Sequence, residues 1–408
     1  MKRKYLNACL MILFVLFIII GDYRVWRELE KGKYFSELEP DEPAWIFSGY
    51  YFNLYFLRFD LFHPDWSDDE AFDQPPLAKY IVGGALFLRG YTIDSLEPKR
   101  FWNTIRGDKL HHIQSYYDQV IDRIPNRSVV IPSTRFVIAM FALFSLPLLY
   151  ISVRMLYGVL PAMVSAMLII SHPIFIFYSM RILADPVLLF FLALFTLLCA
   201  LYLKSQKHLY IIFAFVVSSL AFLTKLNGIV LVFVLLITFL LKNKFSISKQ
   251  DCKFLAMGFV IFLFISVLLN PVFLNTGVKA IWKMVEVRSS ASRMLQETFQ
   301  GAALLSVSER FLAATRMIFF KYSLFYQLIK VPLELMMFVA GIYYILKTKD
   351  IFLLTLFGFL VILPVSMLPL DFPRYCYWIF PFTYIIAGLS LNLLKDIFDG
   401  KDFWFLKG

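Results

Sequence analysis

Apolar runs long enough to cross a bilayer alternate with short polar breaks along almost the whole chain. A membrane helix needs about 20 apolar residues. Runs of that kind fall at 5–23, 132–154, 157–177, 183–203, 208–224, 227–241, 253–274, 331–346, 351–369 and 375–394, which predicts ten spans in a wholly helical protein. Pro161 and Pro173 interrupt one of them, and Lys225-Leu226-Asn227-Gly228 separates two that would otherwise merge. Two polar stretches, 25–131 and about 275–330, are too long to be simple connections. In the first, Pro43 at a first turn followed by Trp45, Tyr50, Tyr51 and Tyr55 predicts a helix over 43–57 lying in the membrane interface. A second interfacial helix is expected over 76–89. In the other stretch, apolar positions alternate with Arg288, Arg293, Arg310, Arg316 and Lys321, the pattern of a segment packed over the outer face as a lid. No internal repeat or low-complexity tract interrupts 1–408, which reads as one transmembrane domain.

Composition removes the soluble alternatives. Of 408 residues 60% are apolar and 17% charged, with a mean hydropathy of +0.71, against roughly half and a quarter in ordinary globular chains. The net charge of +11 does not signal a nucleic-acid partner, because the lysines collect in short loops between apolar runs. With ten spans, Lys2, Arg3, Lys4, Arg154, Lys204, Lys207, Lys242 to Lys253, Lys347, Lys349 and Lys395 to Lys407 fall on one side, and only Arg181, Lys225 and Arg374 occupy short loops on the other. That bias puts both termini in the cytoplasm and the two long loops outside. The first run follows Lys2-Arg3-Lys4 with no small-residue cleavage site after it, and reads as an uncleaved helix of a multi-pass protein. The four cysteines show no metal-ligand spacing and the histidines no HxxxH pattern, so no metal is indicated; nor is there a phosphate-binding loop or dinucleotide fingerprint.

The polar residues at membrane depth then fall on one side. Asp41, Glu42, Asp73, Lys79, Arg181, Asp185, Lys225, Asn227, Asp371 and Arg374 all map outside. Charge near lipid is expensive and is kept where it has a function. Each residue also has a local explanation: Asp41-Glu42 as a helix cap before Pro43, Lys79 as a snorkelling lysine, Arg181 with Asp185 and Arg374 with Asp371 as neighbouring ion pairs. Together, carboxylates mixed with cations suit an amphipathic anionic ligand such as a lipid phosphate.

In order and spacing these motifs resemble the GT-C superfamily of membrane glycosyltransferases, in the branch of the protein O-mannosyltransferases and aminoarabinose transferases (family 39-like). The resemblance is carried by Asp41-Glu42 soon after the first span, Pro75-Pro76-Leu77-Ala78-Lys79, Ser179-Met180-Arg181, Ala184-Asp185-Pro186, Thr224-Lys225-Leu226-Asn227-Gly228, and Arg374-Tyr375 with Pro381. It implies an inverting transferase that moves a sugar from a polyprenyl-phosphate donor to an acceptor hydroxyl on the extracytoplasmic side. Asp41 would stand at the catalytic aspartate, with Glu42 as its rival. Lys79, Arg181, Lys225 and Arg374 would bind the donor phosphate, and Asp73, Gln74, Asp185 and Asn227 would line the substrate. The chain is short for this branch, and the acceptor stays open. The chemistry needs a base for the hydroxyl proton and cations for the departing phosphate, and no nucleotide or second acid. A transporter or flippase of an anionic glycolipid is the alternative class. It predicts polar groups continuing to the cytoplasmic side and repeated halves, while a membrane scaffold leaves Asp41, Lys79, Arg181 and Lys225 unexplained.

Overall fold

The computed structural model describes residues 39, 41–93, 126–242 and 248–399. The expected first span, the start of the first loop, its 94–125 portion and most of the lysine loop near 246 lie outside the described residues. Every other expected span coincides with a helix or a broken pair of helices. Among the described residues there is no strand, only an isolated antiparallel bridge between Ala303 and Leu370.

The spans are less uniform than the hydropathy predicts. Arg127–Tyr157, Ala184–Ser205 and Lys249–Leu268 are long and apolar enough to cross a membrane, and a fourth is Val159–Ser171 joined to Pro173–Ser179 through a 63° bend. Leu209–Thr224, Val230–Lys242 and Ile351–Phe357 are shorter, the last continuing through a π turn at Gly358–Ile362. The bend has a local cause: Pro173 cannot continue the preceding helix and opens the next one, whose Ile174 amide donates to Nδ1 of His172. Lys225 does separate two helices. Its backbone is extended, and the following turn, Leu226–Ile229, folds back against the helix it has just left. Gly228 allows this, since a Cβ there would lie 2.2 Å from the carbonyl carbon of Ala221.

Among the described residues the first loop carries helices at both expected places, with Pro64–Ser67 and Asp69–Asp73 between them. Glu42–Ser48 runs on through Tyr50–Phe52 and a π turn at Asn53–Leu57, and crosses Leu77–Phe87 at close range. Gly49 and Gly83 meet at the crossing, where a Cβ on Gly83 would stand 2.4 Å from the Gly49 carbonyl oxygen. Only small residues let two backbones approach so closely. The second loop contributes Lys279–Thr298, which packs on Asp69–Asp73 of the first, and Val307–Arg316, which packs on Leu363–Ser366. Lys283 donates to the Ser67 carbonyl at 3.2 Å and lies 3.6 Å from Asp69, and Asn275 donates to the Leu61 carbonyl at 2.8 Å. The second loop also holds the segment before Arg374, through Leu304 N–H to Pro369 and Asp371 N–H to Ala302. It thus spans the two parts of the site described next.

Candidate active site

Asp41 and Glu42 are adjacent but enter different surroundings. Asp41 occupies the N-cap position of the first described helix without making a side-chain cap, so the local cap explanation fails. Glu42 turns inward and is fully buried. Its Oε1 accepts from Nε of Arg135 at 2.8 Å and the Ile182 amide at 2.9 Å. Its Oε2 accepts from Arg135 Nη2 at 2.5 Å, the Glu39 amide at 2.8 Å and Arg181 Nη1 at 3.4 Å. A carboxylate offers about four lone-pair sites, and these donors fill them. Ile182 is available because it lies in the bend between the helices ending at Ser179 and starting at Ala184, outside either helical ladder.

The side chain of Asp41 is 46% exposed and pairs with Nη1 of Arg374. The same nitrogen reaches Oε1 of Glu39 at 3.4 Å, and Oε2 of Glu39 accepts the Asp41 amide at 3.0 Å. Arg374 sits in a turn opened by Pro373. Burial opposes its charge, but Asp41 and Glu39 outweigh burial and hold its pKa well above the ordinary value. Asp371, the neighbour that sequence offers as its partner, pairs instead with Arg316. Nearby, Lys225 binds Asp185 at 2.7 Å and Arg288 binds Asp73 at 3.1 Å. The ammonium of Lys225 is lowered from its usual pKa by burial first, against the pull of Asp185, with Arg374 and Arg288 adding to the lowering. Tyr375 feels Arg374, Arg288, Asp41 and Asp185 together. These groups form one cluster of alternating sign, open on the side of Asp41.

The expected convergence of Lys79, Arg181 and Lys225 on one spot does not occur. Lys79 is buried, donates to the Glu70 carbonyl at 2.7 Å and covers the ring of Tyr51 at 4.8 Å. Burial pushes its pKa down to about 8, opposed by Asp73 and Glu70. Arg181 is committed to Glu42 and to the face of Phe177 at 4.5 Å. The local Arg181–Asp185 pair is absent, because Asp185 goes to Lys225. The cations that do gather are Lys225, Arg288 and Arg374. Gln74 is buried, with its Oε1 unbonded, and Asn227 is exposed in the turn after Lys225. Among the described residues no group of three or more His, Cys, Asp or Glu side chains is arranged to hold a metal ion.

Sequence reasoning missed Arg135, Arg288 and Glu39. Arg135 had a signal: it is a lone arginine inside an apolar run, where a charge demands a partner. Arg288 and Glu39 had none beyond their charge.

Residues 127–269 match the family described as dolichyl-phosphate-mannose-protein mannosyltransferase. The fold is similar to ArnT from Cupriavidus metallidurans in the apo state, with a TM-score of 0.53 and 14% identity, covering 96% of this chain and 61% of that one. The same protein bound to undecaprenyl phosphate gives a TM-score of 0.51 at 15% identity, with the same shares. The apo oligosaccharyltransferase of Archaeoglobus fulgidus gives 0.53 at 13% identity, covering 98% of this chain and 52% of that one. The chain therefore spans between half and two thirds of the length of these proteins. No curated protein sequence matches it. The resemblance drawn from the motifs is borne out at the level of fold: the chain is a polytopic helical membrane protein of the GT-C fold, similar over its central helices to the dolichyl-phosphate-mannose-protein mannosyltransferases.

Proposed function

We propose that the protein is an inverting glycosyltransferase that moves a sugar from a polyprenyl-phosphate donor to an acceptor hydroxyl on the extracytoplasmic side of the membrane. One observation carries this reading: Asp41 is a half-exposed carboxylate at the edge of a cation cluster of Arg374, Lys225 and Arg288. The carboxylate takes the acceptor proton as the hydroxyl oxygen bonds the anomeric carbon, and the cations stabilise the prenyl phosphate monoester released when the sugar's bond to the donor phosphodiester breaks on the opposite face. Such a phosphate leaves without protonation, so no second acid is required. Glu42, whose lone pairs are filled, positions rather than reacts. Its contacts tie Asp41's helix to Arg135 and Arg181. Lys79 and Arg181 then act behind the phosphate-binding groups, while Asp73, Gln74, Asp185 and Asn227 line the approach of the substrates. The similarity to a protein solved with undecaprenyl phosphate agrees with a prenyl carrier.

The test is transfer by the purified protein from a panel of polyprenyl-phosphate sugars to simple hydroxyl acceptors, with Asp41→Asn as the control. Transfer that depends on Asp41 supports the reading. Scrambling of the labelled lipid across vesicles without transfer favours a flippase. The sidedness is checked by Ser246→Cys, which stays unlabelled by an impermeant thiol reagent in intact cells if both termini are cytoplasmic.

A further inference from the structure

Glu39 belongs to none of the motifs, yet it touches both carboxylates of the acidic pair and Arg374. Its amide donates to Glu42 at 2.8 Å, its Oε2 accepts the amide of Asp41 at 3.0 Å, and its Oε1 accepts from Arg374 at 3.4 Å. The guanidinium nitrogen that meets Glu39 is the one that binds Asp41. Two carboxylates therefore share one guanidinium nitrogen, and only one of them is open to an acceptor: the Glu39 side chain is 14% exposed, against 46% for Asp41.

We propose that Glu39 is a positioning residue which shares Arg374 with Asp41 and sets how strongly Asp41 acts as a base. The proposal rests on the assignment of Asp41 as base. When Glu39 is neutral, Arg374 belongs to Asp41. When Glu39 ionises, its bond to Arg374 becomes charge-assisted and the hold of Arg374 on Asp41 loosens, which frees the open carboxylate to meet the acceptor hydroxyl. The groups acting on this switch are Asp41 and Glu42 in its own segment, Tyr178 and Arg181 from the bent span, and Arg374 from the last loop. Burial, followed by Asp41, raises the Glu39 carboxyl from 4.5 to about 7, with Arg374 opposing. Because this folded value lies above the ordinary one, ionising Glu39 costs the fold stability as pH rises through about 7, while the reaction gains.

Two measurements on the full-length protein in detergent test this. The first is the pH profile of kcat/KM for transfer: the wild type rises about tenfold from about pH 6 to about pH 8. Glu39→Gln keeps an acceptor for the Asp41 amide but cannot titrate, and its profile is flat across that range. Glu39→Ala loses both and is slower throughout. A Glu39→Gln profile with the wild-type rise overturns the proposal. The second needs no activity: dicyclohexylcarbodiimide modifies protonated carboxyls, so mass spectrometry finds the adduct on Glu39 at low pH and loses it as pH rises. In Asp41→Asn, Arg374 is left to Glu39 alone, and the midpoint of labelling moves to lower pH. An unlabelled Glu39, or a midpoint that ignores Asp41→Asn, overturns the shared arginine. If no donor in the panel is turned over, the functional reading fails, and the labelling still decides whether Glu39 and Asp41 share Arg374.

Discussion

Two consecutive carboxylates have opposite fates here, and their contrast explains the site. Glu42 lies in a closed nest with Arg135, Arg181 and two backbone amides, with none of its surface exposed. Asp41 lies in an open nest with Arg374, nearly half exposed, beside the Lys225–Asp185 and Arg288–Asp73 pairs. A helix separates successive side chains by about 100°, so one turns into the bundle and the next away from it. The closed nest trades two desolvated arginines against one saturated carboxylate, an arrangement that loses heavily if any member is removed. The open nest retains a lone pair toward solvent, which a base needs.

The contrast is broken most directly at Asp41. Asp41→Asn should lower turnover by about two to four orders of magnitude while the protein melts as the wild type does, measured by transfer rate and thermal unfolding in detergent. Glu42→Gln should do the reverse in kind. It leaves Arg135 buried against a neutral partner, and stability should fall by about 3–5 kcal/mol, seen as a lowered Tm and poor recovery. If Asp41→Asn turns over normally and Glu42→Gln folds but is dead, the two roles are exchanged. Arg288→Ala tests whether the second loop completes the open nest. Binding of undecaprenyl phosphate should weaken by about 1.5–3 kcal/mol, the scale of a charged hydrogen bond, with little change in Tm. The smallest effect is expected for Lys283→Ala. Its pair with Asp69 is more than 40% exposed on both sides, and screening leaves it worth less than about 1 kcal/mol in the same binding and melting measurements. A large effect there would mean that docking of the second loop, rather than Arg288 itself, governs the site.

Much of the architecture was legible because hydropathy acts over a single segment. The apolar runs, the break at Lys225 and the helix that carries Pro43 in its first turn each follow from residues within about twenty positions of one another. Helix lengths were less legible. Proline, glycine and π turns shorten or bend several spans, and neighbouring helices decide whether the interruption is tolerated. The motif residues were identified as a set, but their pairings were not. Sequence suggested Arg181 with Asp185 and Arg374 with Asp371, neighbours in the chain. The fold gave Arg181 to Glu42, Asp185 to Lys225 and Arg374 to Asp41, the last across 333 positions.

By itself the sequence determined that this is a helical membrane protein with its charged motifs gathered in the loops and turns between spans. Burying apolar surface and keeping charge out of lipid are costs that each segment meets alone. Which carboxylate is saturated and which stays open was decided by the tertiary structure alone. That outcome depends on Arg135, Arg181, Arg288 and Arg374, carried by separate elements, arriving within hydrogen-bond range of a particular oxygen. A few tenths of an ångström in that arrival separate a structural ion pair from a reactive group, and no local pattern in the chain encodes them.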